Sequence, residues 1–146
     1  MTEIGQLGEK FVCRWLVAQG WLILHHRWRC RWGEIDLIAQ SPKADTIAFI
    51  EVKTRSRGNW DADGLLAITS QKQLKLSRTA ALFLSEFPRL AELPCRFDVA
   101  IVNCKKSLGH LAQAQPEIII AQPIDREKYQ FVLTHYIESA FEGNLE

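Results

Sequence analysis

Two short runs, Glu34 to Ala39 and Ile47 to Lys53, are apolar on both faces yet carry ionisable groups, and this combination restricts the chain more than any other feature. Each run alternates like a β-strand, and Ser41-Pro42-Lys43 between them supplies turn chemistry. Strand side chains alternate between faces. Glu34, Asp36 and Ile38 therefore fall on one face of the first strand, and Ile47, Phe49, Glu51 and Lys53 on one face of the second. The opposite face holds Ile35, Leu37, Ala48, Ile50 and Val52. Such two-sided apolarity describes central strands covered above and below. A hairpin turning at Lys43 and Ala44 sets Asp36 against Glu51 and Glu34 against Lys53. Directly opposed side chains lie about 4.5–5.5 Å apart at Cβ. Exposed cross-strand ion pairs contribute little, but charge in a covered strand is costly without a partner or a metal ion. A hard divalent cation suits three carboxylates and an ammonium gathered on one patch.

The 146 residues, 47% hydrophobic, are enough for one compact domain and too few for two. No apolar run approaches the roughly 18–20 residues of a membrane span, and the N-terminus lacks the apolar core of a signal peptide. Cys13, Cys30, Cys95 and Cys104 are scattered without a C-x-x-C pair, which argues against zinc and for free thiols in a reducing cytoplasm. The net charge of +1 hides an uneven distribution. Residues 1–80 hold 12 Lys and Arg against 8 Asp and Glu, and residues 81–146 hold 6 against 9. Four of the eight acids in the first part are Glu9, Glu34, Asp36 and Glu51, which a metal would neutralise. The surface around them is then basic, as a nucleic-acid partner requires.

Glu3 to Gln19 reads as an amphipathic helix with Ile4, Leu7, Phe11, Trp15 and Ala18 at helical spacing and Gly20 as its stop. Glu9 flanks that stripe, either as a solvated residue or leaning over the sheet toward a metal. Trp21 to Arg31 reads as a strand with Arg27, Arg29 and Arg31 on one face and His26, Trp28, Cys30 and Trp32 on the other, a phosphate grip or a solvated face over a packed one. His25 and His26 point to opposite faces and make poor joint ligands. Arg55 to Gly64 reads as a loop leaving the site. A helix capped at Thr69 or Ser70 runs to about Glu86, with Leu74, Leu82 and Phe83 among its apolar positions and Lys72, Lys75 and Arg78 in its first half. Cys95 to Asn103 reads as a strand in which Asp98 is structural. Lys128 to Ile137 alternates weakly, and Glu138 to Phe141 reads as a single turn.

The sequence GEIDLIA followed by IAFIEVKTR resembles the split active-site motif of the PD-(D/E)XK nuclease superfamily, and is most similar to the bacterial YraN-like family related to archaeal Holliday-junction resolvases. Ile4 to Glu9 resembles that family's opening helix, Arg96 to Val99 its late core strand, and Tyr136 to Phe141 its C-terminal signature. The resemblance covers residues 1–103 and resumes over 129–146, while 105–128 is longer than the family pattern and unassigned. It implies a restriction-endonuclease-like α/β fold in a single domain, a mixed central sheet of four or five strands flanked by helices on both faces. It also implies a metal-dependent endonuclease acting on branched or structured DNA, as a homodimer. A non-catalytic nucleic-acid-binding module and a ribonuclease are the alternatives.

Asp36, Glu51 and the Val52 carbonyl supply hard oxygen donors for Mg²⁺ or Mn²⁺, and the resemblance adds Glu9. Lys53 orients water or steadies charge on the phosphate. Glu34 binds a second metal or holds Lys53. Arg27, Arg29, Arg55, Arg57, Lys72 and Lys75 are the candidate phosphate contacts.

Overall fold

Thr2 starts the first helix by accepting the Gly5 N–H on its hydroxyl at 3.0 Å, pairing one of the donors that every helix start leaves open. The computed structural model describes residues 2–56, 68–106, 124–126 and 129–143. This helix, α1, spans Glu3–Ala18. It closes with Gly20 at φ +96°, as the Gly20 and Trp21 N–H groups reach back to the Val17 and Leu16 carbonyls. Glycine is needed there because a left-handed residue completes this closure.

Strands β1 (Leu22–Cys30), β2 (Gly33–Gln40) and β3 (Ile47–Ser56) form an antiparallel meander. Helix α2 (Ser70–Glu86), capped by the Thr69 hydroxyl on the Lys72 N–H, lies between β3 and β4 (Cys95–Lys106) in the chain, and these two strands pair in parallel. A parallel neighbour requires such a crossover. β5 (Ile124–Arg126) and β6 (Tyr129–Phe141) complete a mixed six-stranded sheet in the order β1-β2-β3-β4-β6-β5.

The helices lie on opposite faces. Phe11, Val12 and Leu16 of α1 pack with Leu37, Ala48, Ile50, Val52 and Val102. Leu76, Ala80, Phe83 and Leu84 of α2 pack with Ile35, Ile38, Ile47, Phe49 and Phe97. Two covered faces are why β2 and β3 are apolar throughout. Among the described residues no helix is long and apolar enough to cross a membrane.

Several expectations are corrected. Ile35 belongs to the α2 core with Ile38, and not to the face of Leu37. Leu74 is exposed, because the buried stripe of α2 runs through Leu76, Ala80 and Phe83. Arg55 and Ser56 extend β3 and do not open a loop. Arg57 and the rest of that expected loop lie outside the described residues, as does most of 105–128, of which Ile124–Arg126 is strand. Residues 138–141 are strand and not a turn. Ser139 at φ 51° and the register shift against Phe97 and Val99 of β4 break the alternation that would have marked them.

Candidate functional site

β2 and β3 pair in the expected register, Leu37 with Ile50, Ile38 with Phe49, Ala39 with Ala48 and Gln40 with Ile47. Regular alternation ends at Asp36: Ile35 and Leu37, two residues apart, sit in opposite cores. At the break the Asp36 carboxylate accepts the Val52 N–H at 2.8 Å. The β1 residue level with it, Arg27, is also irregular, with φ 58°, while its neighbours His26 and Trp28 pair with Leu37 and Ile35. Asp36 is only 7% exposed. Burial, then the nearby Glu51 charge, push its carboxyl up to about 8, with Glu9 and Glu34 adding to the rise and the Val52 N–H opposing it.

Glu51 lies beside this group on the α2 side. Its Oε2 takes the Lys53 ammonium at 3.4 Å and the Lys72 ammonium at 3.2 Å. Lys72 comes from the first turn of α2, whose start Thr69 fixes. Burial, and Lys72 beside it, hold the Lys53 ammonium below the ordinary lysine range against the pull of Glu51. For Lys72 burial works the other way from the net result, and Lys53 and Glu51 raise it.

Glu9 is 2% exposed under α1 and accepts from Arg27 Nε at 2.9 Å, with His26 Nε2 at 3.0 Å from the same oxygen. Consecutive strand residues reach one acceptor only because Arg27 is left-handed, so Arg27 does not share a basic ladder with Arg29 and Arg31. His25 goes to the other face, against Phe83 and Phe87, which separates the two histidines as expected. Glu34 pairs with Arg29 at 2.6 Å and not with Lys53. These two are direct cross-strand partners in β1 and β2.

Of the expected phosphate contacts, Arg27, Arg29 and Lys72 are therefore each joined to an acid. Arg55 is partly buried in β3, and Lys75 is exposed on α2. Among the described residues no three His, Cys, Asp or Glu side chains are grouped as a metal-ligand shell. The donor set nevertheless fits a hard cation at its centre, because the buried Asp36 carboxyl beside Glu51 resists charging until positive charge arrives. Glu9 fits less directly, being held by Arg27 and His26.

Sequence reasoning missed the Lys72–Glu51 contact. A lysine three residues past a predicted cap was its only signal. Asp98 is structural as expected: 1% exposed, it accepts from Arg96 Nε, the Tyr136 hydroxyl at 2.7 Å and the Ser139 N–H at 2.9 Å, filling the β4–β6 bulge.

Residues 8–102, which carry Glu9, Asp36, Glu51, Lys53 and Lys72, match the model of the uncharacterised protein family UPF0102. A UPF0102 protein of Acaryochloris marina is 51% identical over 95% of this chain and 90% of its own length. One from Synechocystis sp. is 45% identical over 98% of this chain and 100% of its own. The calcium-bound SfsA structure of Pyrococcus furiosus overlaps 68% of this chain and 56% of its own at 11% identity and a TM-score of 0.28. The family match over most of the chain and the identity of these full-length relatives lead to one assignment: the chain belongs to the UPF0102 family.

Proposed function

We propose that this chain is a metal-dependent endonuclease of the PD-(D/E)XK type that hydrolyses phosphodiester bonds in branched or otherwise structured DNA. The observation that carries the reading is the buried Asp36 carboxyl beside Glu51, with Lys53 ion-paired to Glu51 at 3.4 Å. Asp36, Glu51 and the Val52 carbonyl would hold Mg²⁺ or Mn²⁺, and Glu9 would join them on leaving its contacts with Arg27 and His26. When bound, the ion neutralises the scissile phosphate and acidifies the attacking water.

Lys53 carries the rest of the chemistry. Its Nζ donates to the phosphate oxygen on which charge accumulates, or orients the attacking water, whose proton passes to solvent as the new P–O bond forms. The old P–O bond breaks as its oxygen leaves and acquires a proton. Lys72 keeps Glu51 turned toward Lys53 in the resting protein. The four free thiols, Cys13, Cys30, Cys95 and Cys104, suit a cytoplasmic enzyme, and a homodimer would present two such sites to a junction.

Cleavage of linear duplex, branched DNA, single-stranded DNA and RNA, each with Mg²⁺ or Mn²⁺, tests the reading. Cutting of branched DNA by the wild type, abolished in Asp36→Asn, is the expected result. No cutting of any nucleic acid overturns it, and retained binding would then leave a non-catalytic module. Preferential cutting of RNA would replace the substrate.

A further inference from the structure

The turn between β1 and β2 places Trp32 in the open, 37% exposed, with two guanidinium groups against it. Arg31 and Arg78 each lie 4.9 Å from the centre of the Trp32 ring system. Arg31 belongs to the turn and Arg78 to α2, so the cluster joins two elements. The turn is fastened beneath it: the Trp32 N–H reaches Cys30 Sγ at 3.3 Å, and Cys30 Sγ touches the Thr79 hydroxyl at 3.7 Å. Lys75, exposed and three residues before Arg78, lies on the same helix face.

What marks this patch among the described residues is that its cations are gathered on one ring without a carboxylate among them. Arg27, Arg29, Lys53, Lys72 and Arg96 each have a carboxylate partner. Among the described residues, no ion pair joins Arg31, Lys75 or Arg78 to a carboxylate. Gathered like charges repel until an anion arrives. Stacking on an indole occupies the faces of the guanidinium planes and leaves their N–H edges open, the edges that grip phosphate. Long side chains already ordered by the ring lose less entropy on binding.

We propose that Arg31 and Arg78, ordered by Trp32, form with Lys75 a DNA-backbone contact surface separate from the reactive site. The proposal rests on the endonuclease reading for its choice of anion. The spacing agrees with that choice. Lys72 at Glu51 and Arg78 at Trp32 are six residues apart on α2, which is about 9 Å at the rise of an α-helix. Phosphates on one DNA strand advance about 3.4 Å along the axis. The surface thus lies beside the carboxylates, on the helix that bears Lys72, within reach of one stretch of backbone, with Trp32 as a positioning residue.

The test measures affinity for a labelled DNA duplex against salt, in EDTA so that nothing is cut. Arg31→Gln with Arg78→Gln should lower the log–log salt slope by about 2, one contact for each cation lost. Lys43→Gln with Arg89→Gln removes the same charge from exposed positions at the β2–β3 turn and beyond the end of α2, and should leave the slope unchanged. Trp32→Ala should weaken affinity at an unchanged slope, since both charges remain. An unchanged slope in the Arg31/Arg78 variant, or an equal fall in the Lys43/Arg89 control, overturns the surface while leaving the nuclease reading intact. A lowered slope without any cleavage in Mg²⁺ or Mn²⁺ supports the surface and removes the nuclease. If the wild type binds no duplex, both fall.

Discussion

Glu9 on α1 and Arg27 on β1 are joined by a 2.9 Å hydrogen bond, and the arginine adopts a left-handed backbone, φ 58°, where the bond is made. The contact ties the first helix to the sheet edge at the level of Asp36. It also removes Arg27 from the surface it would have occupied in a regular strand.

Arg27→Ala leaves the buried Glu9 carboxylate with His26 alone, and should destabilise the fold by about 2–3 kcal/mol. Arg27→Gly loses the same bond but accepts the left-handed backbone, so it should cost about 1 kcal/mol less than the alanine. Urea unfolding of the two variants checks the order. Equal losses would show that the backbone of Arg27 carries no strain.

Asp36 makes stability depend on pH in a defined direction. Its folded pKa, about 8, lies above the unfolded carboxylate value, so between the two the native state binds the extra proton. Stability from this group is present below about 4 and is lost as pH rises through about 8. In EDTA, urea midpoints should fall over that window, and Asp36→Asn should flatten the fall. Mg²⁺ should raise the midpoint more at the alkaline end than at the acid end. A slope that persists in Asp36→Asn would place its origin elsewhere.

Lys53→Ala should reduce cleavage about 10²–10³-fold, the usual effect of losing one donor to developing charge. Calorimetric Mn²⁺ affinity should stay near that of the wild type, because an ammonium is no ligand. Loss of metal binding in this variant would mean that Lys53 organises Glu51 and does not act on the reaction.

Gly8→Ala opposes two effects. Alanine in a helix interior is favoured over glycine by about 0.5–1 kcal/mol. Here a Cβ would collide with the Thr54 hydroxyl, and rotation offers no relief because Thr54 Cγ2 is also close. The collision should win, with a net loss of about 1–3 kcal/mol. A higher melting temperature for Gly8→Ala would show that α1 can lift from β3.

Much of the frame was legible along the chain, because its causes are local. The β2–β3 register follows from a period of two and a turn at Ser41 to Ala44, and the start of α2 from a threonine that caps its own helix. Both faces of β2 and β3 announced two covering helices. Where alternation broke, local reasoning failed: Asp36 turns out of register to take the Val52 N–H, Arg27 turns to Glu9, and β6 bulges around Asp98. Each of these breaks is held by a partner at least 16 residues away, and period carries no information about such a partner. Which cation meets which carboxylate was likewise settled only when the helices docked. That step brought Lys72 to Glu51 and left Arg31 and Arg78 together on Trp32. Residue type and spacing determined that acids and bases would gather near β2 and β3. Their pairing depended on distances across the sheet, which exist only in the folded chain.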